Sequence, residues 1–492
     1  MVSRPPKLFL RTIIAILLIV SFYAFALIIS GGLLYFSYLS FSWGRSSILV
    51  IKIALPCIVT GCVILWSILP RFDRFSPPGP RLSKEDHPKL FEEINTIAQK
   101  TNQTPPQEVY LIADVNAWVA ERGGIMGIGS RRIMGIGLPL LQVLTVSEFR
   151  AVLAHEFGHY YGGDTKLSPW IYKTRIAIGR TLQSLDGRLV HIVFQTFGKL
   201  FLRITQAISR YQEFVADEVA ARIEGPQALS LGLRKICAAS HAYNAYWYSE
   251  FVPALNAGYF PPYVEGFEYF MKIDGAKDAM AATVEEELAV TSSSPYDSHP
   301  SLRERLDALD SPLEQIVDDI PAITMLEEVP VLEKDLFLVL GGDAGKVLKA
   351  TNWSNVGEEV YLPTWSSLVE KYQVVLADLT LQDISDIARA PREFTRKIEL
   401  HDNRQLPVES GYLYSRHILG AAISVRLAQQ GWKVSAMPGE AIKLTKRDDE
   451  FKPFKMINDL FDKKITILDW RLMCEKIGIY EMPLGMKASF KE

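Results

Sequence analysis

The chain has 492 residues, a formal net charge of −3 and 48% hydrophobic residues. That length exceeds what one core organises, so two soluble domains plus further segments are expected, and the absence of basic tracts or acidic tails excludes a nucleic-acid-binding class. The four cysteines, Cys57, Cys62, Cys237 and Cys474, are scattered without CxxC spacing, which excludes a disulfide framework and a cysteine-ligated metal.

The first predicted elements are apolar. Residues 13–39 carry no charge, and residues 48–69 carry only Lys52, near one end where its stem can snorkel. Each run is long enough to cross a bilayer, which takes about 20 residues. Ala24-Phe25-Ala26 resembles a leader-cleavage site. The apolar run continues past it and a second run follows, so two transmembrane helices are expected instead. Arg4, Lys7 and Arg11 precede the first run, and Arg71, Arg74, Arg81 and Lys84 follow the second, while the connector holds only Arg45. The positive-inside rule therefore puts both termini, and everything beyond residue 71, in the cytoplasm. The expectation is an integral protein of the inner or plasma membrane, with the lipid bilayer as one partner.

The proline-rich stretch 71–88 marks a domain boundary. In "KLFEEINTIAQKTN", Leu90, Ile94 and Ile97 share one helical face, and "QTPPQ" stops the helix. "EVYLIADVNAWVA" then alternates as a strand does. The pentapeptide IMGIG occurs at 125–129 and again at 133–137. Its glycines miss the phosphate-loop spacing, so no nucleotide is expected. A glycine-studded hairpin permits close backbone approach. Two readings stand: an edge strand over 125–137 that accepts an extended peptide, with Ile133 and Gly135 as contacts, or a hairpin that only packs on its sheet.

"LTVSEFRAVLAHEFGHYYGGD" carries its own start and stop signals. Thr145 and Glu148 form a capping box, Gly162-Gly163 end the helix, and Phe149, Val152, Leu153, Phe157 and Tyr160 form its buried face. His155 and His159 lie four residues apart and leave the same face. In this HExxH pattern two histidines hold zinc, and Glu156 takes a proton from the water on it. A catalytic zinc needs three protein ligands and one open position. The HExxHxxGxxH completion is excluded, because Thr165 stands where its third histidine would be. The other completion is a glutamate on a later helix. "SRYQEFVADE" offers Glu213, with Asp217 one turn on. They read as a metal ligand and a carboxylate that orients a ligand histidine, or as two solvated helix carboxylates.

Residues 165–210 are helical and mixed. Phe197, Phe201, Ile204 and Ile208 recur at helix spacing, broken by Lys199 and Arg203. Residues 191–208 are either a helix resting on the bilayer surface or an ordinary core helix. A serine-rich loop then leads into a helix near Pro300. Beyond residue 311 "KYQVVLADLT" and "GWKVSAMPGEAIKLTK" read as strands, and "YLYSRHILGAAISVRLAQQ" and "PFKMINDLF" as helices. His401 and His417 stand alone there, with no catalytic constellation.

Four segments in order, "NAW" at 116–118, "VLAHEFGHYYGGD" at 152–164, "SRYQEFVAD" at 209–217 and "SHPSLRERLDAL" at 298–309, resemble the HtpX-like and CAAX-prenyl-protease family of membrane-associated zinc metallopeptidases. The resemblance covers about residues 88–309. It implies one zinc ion held by His155, His159 and Glu213, with Glu156 as general base and Asp217 behind the ligands. It further implies that His299 and Arg305 lie near the active site, as transition-state support or as a removable cap on the metal, and that Asn116 lies near the substrate. Prenyl proteases have many more spans than the two seen here.

The expected fold is two transmembrane helices, a mainly α zincin-like domain with a small sheet, and a C-terminal α+β domain, divided as 1–75, 76–310 and 311–492. The expected function is a membrane-anchored zinc endopeptidase acting on polypeptides, membrane proteins among them, in quality control. The alternative is an inactive membrane scaffold or metal-binding regulator working through its C-terminal domain.

Overall fold

The structure is a computed structural model and describes residues 6–42, 48–69, 71, 73, 75–124, 129–160, 168–185, 189–310, 320–342 and 345–485. Contacts divide the chain into two compact units, 1–240 with 281–339, and 241–280 with 340–492.

In the first unit, α1 (Pro6–Ser42) and α2 (Ile48–Ile68) are long and apolar enough to cross a membrane. They pair through small polar residues, with Ser30 Oγ donating to the Gly61 carbonyl at 2.7 Å and Ser37 Oγ to that of Ala54 at 3.2 Å. Leu17, Val20, Leu27 and Ile28 point outward. A water-soluble surface would not carry such a continuous apolar face.

The sheet has the order β1 (Arg81–Leu82), β2 (Glu108–Ile112), β4 (Arg131–Gly137), β3 (Ala117–Arg122), with β2 and β4 parallel and the other pairs antiparallel. This corrects two expectations. "EVYLIADVNAWVA" is two strands, because residues 113–116 carry the chain across so that β4 can sit between them. The strand with Ile133 and Gly135 is paired on both sides and is not an edge. Ile133 is fully buried, and the space above Gly135 is filled by Trp118, whose ring a Cβ there would meet at 2.4 Å. The glycine accommodates an indole, not a substrate. Residues 125–128 lie outside the described set.

β4 leads through α4 (Leu138–Val143) into α5 (Val146–Gly158). The capping box forms as expected: Thr145 Oγ1 accepts from the Glu148 amide, and Glu148 Oε2 from the Thr145 amide. α5 ends at Gly158 with His159 as its cap, while Gly162 and Gly163 lie outside the described residues. α3 (Pro88–Lys100) buries Leu90, Ile94 and Ile97 as predicted. α6 (Ser168–Ser184) and α7 (Leu189–Glu224) form a hairpin whose apolar residues Ile178, Phe194 and Phe201 share a core with Phe22 of α1 and Ile64 of α2. Phe194 and Phe197 pack their rings against Phe22 and Phe25, while Ile192 and Val193 face outward.

The first unit continues past the boundary expected at 310. Ala322 donates its amide to the Leu144 carbonyl, and Val146 donates to that of Ile320. The second unit is mainly helical, built around the helix Val408–Gln429, with an antiparallel sheet of Lys433–Ser435, Lys443–Lys446 and Asp449–Phe451. "KYQVVLADLT" is helical rather than a strand. Val369, Tyr372 and Leu376 are buried while Val374 is 81% exposed, the 3.6-residue period and not the alternating one.

Candidate metal centre

The site forms where α5 meets α7. α5 presents His155, Glu156 and His159 because the opposite face, with Phe149, Leu153 and Phe157, is buried in the core. α7 presents Glu213 and Asp217 on successive turns, both buried. The helices approach closely because Gly158 has no side chain: a Cβ there would lie 2.9 Å from the Ala216 Cα.

His155, His159 and Glu213 offer ligand atoms all within 4.8 Å of one another. Glu213 Oε2 lies 3.5 Å from His155 Nε2, and Oε1 lies 3.6 Å from His159 Nε2. Oε2 is buried and has no hydrogen-bond partner. A buried carboxylate oxygen without a hydrogen bond is costly; the charged or basic groups nearest to it are His155 Nε2 and, at 3.9 Å, Arg305 Nη1. Two histidines and one glutamate are a donor set of catalytic zinc sites, so the residues fit a zinc ion.

Behind the ligands, Asp217 Oδ1 lies 2.9 Å from His155 Nδ1. Arg305, on the helix Leu302–Leu309, donates to Asp217 through Nε at 2.8 Å and Nη2 at 2.6 Å. This fork holds the carboxylate that holds the ring, leaving Nε2 of His155 toward Glu213. Arg305 thus touches the centre mainly through Asp217. His299 sits on the loop before that helix, its side chain 67% exposed, with Nδ1 3.1 Å from Glu213 Oε1. Beside it opens a cavity of about 440 Å³ lined by Gln206, Glu287, Val290, Tyr296 and Asp297.

The electrostatics follow from burial and pairing. Burial works against a charge on His155, but the hydrogen bond to Asp217 and the nearby Glu213 carboxylate overcome it and raise its pKa to about 9. Burial and the neighbouring His155 lower His159 to about 4. Burial pushes the Glu156 carboxyl up to about 7. Glu213 is held far below the usual range, because His155 and His299 outweigh its burial. Arg305 and His155 do the same for Asp217.

One edge strand of the sheet, β3, faces α5. Its pairing with β4 turns the Val119 amide and carbonyl away from the sheet. That amide donates to Glu156, and the carbonyl accepts from the Tyr160 hydroxyl at 3.0 Å. Asn116 is exposed and immediately precedes this edge. His155, Glu156, His159, Glu213, Asp217, His299 and Arg305 are therefore brought together, whereas Ile133 and Gly135 are not. Sequence reasoning gave no role to Gly158 or to the Tyr160 hydroxyl. Gly158 lies inside the HExxH run, but only its contact with a second helix gives it a reason.

An HExxH helix completed by a glutamate from a second helix, with a carboxylate behind the first histidine, is the arrangement found in HExxH metallopeptidases. Residues 84–313, just under half of the chain, match the family profile of Peptidase family M48. This segment is similar to that family and to relatives named Protease HtpX. The chain is 28% identical to a Protease HtpX homolog of Sulfurihydrogenibium sp., over 32% of this chain and 58% of that protein. It is 28% identical to Protease HtpX of Klebsiella pneumoniae, over 29% and 57% of the two chains, and 26% identical to that of Histophilus somni, over 45% and 70%. The chain thus spans under two thirds of the length of the first two. No solved structure matches it.

Proposed function

We propose that the protein is a membrane-anchored zinc endopeptidase whose catalytic unit faces the cytoplasm. The observation that carries this reading is the buried Glu213 carboxylate, whose Oε2 lies 3.5 Å from His155 Nε2 and whose Oε1 lies 3.6 Å from His159 Nε2, with no hydrogen bond to Oε2. His155, His159 and Glu213 would hold the ion, which when bound would supply Lewis-acid polarisation of a water and of the scissile carbonyl. Glu156, lifted to about 7 by burial, accepts the proton of the attacking water and delivers it to the leaving amine. A base is most effective with a pKa near the working pH. Asp217 and Arg305 hold His155 in one tautomer. His299, exposed beside Glu213, supplies an imidazole donor to the oxyanion side of the carbonyl.

The polypeptide adds as a strand along Ala117–Arg122, with Asn116 at its end. The lipid-facing α1 and α2, and the outward Ile192 and Val193 of α7, keep the site close to the bilayer. That favours membrane proteins as substrates and quality control as the task. The arginines and lysines flanking the spans support the cytoplasmic orientation.

The test is zinc content and hydrolysis of an unfolded protein, in detergent, for wild type, Glu213→Ala and Glu156→Gln. We expect about one zinc per chain in wild type and Glu156→Gln, as one three-ligand site holds one ion, and little in Glu213→Ala. Hydrolysis should fall at least ~100-fold in Glu156→Gln. Equal hydrolysis by wild type and Glu156→Gln would remove the peptidase mechanism, and no zinc in any form would remove the metal centre.

A further inference from the structure

His299 reaches Glu213 from an exposed loop, and an exposed side chain on a loop has no intrinsic reason to stay in one place. Something must fix that loop relative to α7. Arg210 lies three residues before Glu213 on the same helical face. Its Nη1 donates to two loop carbonyls, Ser294 at 3.1 Å and Asp297 at 2.6 Å. Between these carbonyls the loop closes on itself: the Ser294 amide donates to Asp297 Oδ2 at 2.7 Å, and the Asp297 amide to the Ser294 carbonyl at 3.0 Å. The far side is fixed by Glu304, which accepts from the amides of Ser293 and Ser301 and from the Ser293 hydroxyl. His299 lies between the two anchors.

We propose that Arg210 is a positioning residue that holds His299 on the Glu213 carboxylate. The metal ligand and the anchor of the loop then share one rigid helix, so the imidazole keeps its distance from Glu213 while remaining open to solvent. Arg210 thereby joins the segment around "SRYQEF" to the segment around "SHPS". A charge-assisted hydrogen bond to each carbonyl is stronger than a neutral one, and a guanidinium serves two acceptors in fixed geometry. The activity part of the test rests on the endopeptidase reading; the loop part does not.

The experiment uses the full chain, zinc-loaded in detergent, as wild type, Arg210→Ala, His299→Ala and the double variant. Amide exchange of residues 293–301 and kcat/KM on fluorescently labelled denatured casein are measured. Exchange of the loop should quicken roughly tenfold in Arg210→Ala, the loss of about one charged hydrogen bond, and stay unchanged in His299→Ala. Each single variant should lower kcat/KM, and the double variant should be no worse than His299→Ala, since both changes remove one function. Unchanged exchange in Arg210→Ala overturns the proposal, as does a double variant whose loss is the product of the single losses. If Arg210→Ala fails to retain zinc, Arg210→Lys carries the same comparison. If wild type hydrolyses nothing, the endopeptidase reading fails and the exchange result alone decides the role of Arg210.

Discussion

Gly158 lies against Ala216, so closely that a Cβ on the glycine would stand 2.9 Å from the Ala216 Cα and 3.1 Å from its carbonyl oxygen. The obstruction is backbone, which cannot swing aside as a side chain could. Gly158→Ala should therefore part α5 from α7 and carry Glu213 away from His155 and His159. We expect a loss of about 1–3 kcal/mol in stability from overpacking, together with much weakened zinc binding. Thermal unfolding and zinc content of the variant, measured together, check this; wild-type zinc content would show that the contact does not set the site.

Asp217 accepts from His155 on one side and from the Arg305 fork on the other. Asp217→Asn keeps the shape and removes the charge that orients the ring. Partners of this kind contribute about 10–100-fold to metal affinity. Competition with a chelator should show zinc binding weaker by that factor, and an unchanged affinity would mean that Asp217 only neutralises Arg305.

The Tyr160 hydroxyl occupies the Val119 carbonyl on the β3 edge of the sheet. A peptide pairing there has to displace it. Tyr160→Phe frees the acceptor and should tighten binding of an extended peptide several-fold, corresponding to about 1 kcal/mol for one hydrogen bond. KM for a peptide substrate, or the inhibition constant of a non-cleaved one, gives the answer. Weaker binding would mean that Tyr160 contacts the peptide itself.

His87 is buried at the start of α3, and its Nδ1 accepts from the Glu327 amide at 3.2 Å. Burial holds its pKa below 6.5, against the opposing pull of Asp86 and Glu327. The folded protein thus binds the proton less readily than the unfolded chain does. The stabilisation is fully present above pH 6.5 and is lost as the pH falls through the lowered folded pKa. His87→Asn retains an acceptor that does not titrate. Its melting temperature should fall less than that of wild type between pH 7 and about 5, a window around the ordinary histidine pKa; parallel curves would exclude His87.

Much of this molecule is decided locally, and local features are legible. The two apolar runs, the capping box at Thr145 and Glu148, and the spacing of His155 and His159 depend on residues within a turn or a span of one another. They stand in the structure as the pattern implies. Glu213 could be named because an acidic pair one turn apart is a local feature too, yet only the packing of α7 on α5 brings its oxygens to the histidines. Strand order was not local. Ile133 and Gly135 have the composition of a strand edge, but whether β4 is an edge depends on β2 and β3 pairing on both its sides. "KYQVVLADLT" has strand composition, and the core around Tyr372 and Leu376 makes it a helix. The sequence alone determined that the first segments are apolar and long enough to cross a membrane, and that His155 and His159 share one helical face, because hydropathy and helical period are short-range. Tertiary structure alone decided which edge faces Glu156, why Gly158 must be glycine, and what holds His299 at Glu213, because each is a contact between segments far apart in the chain.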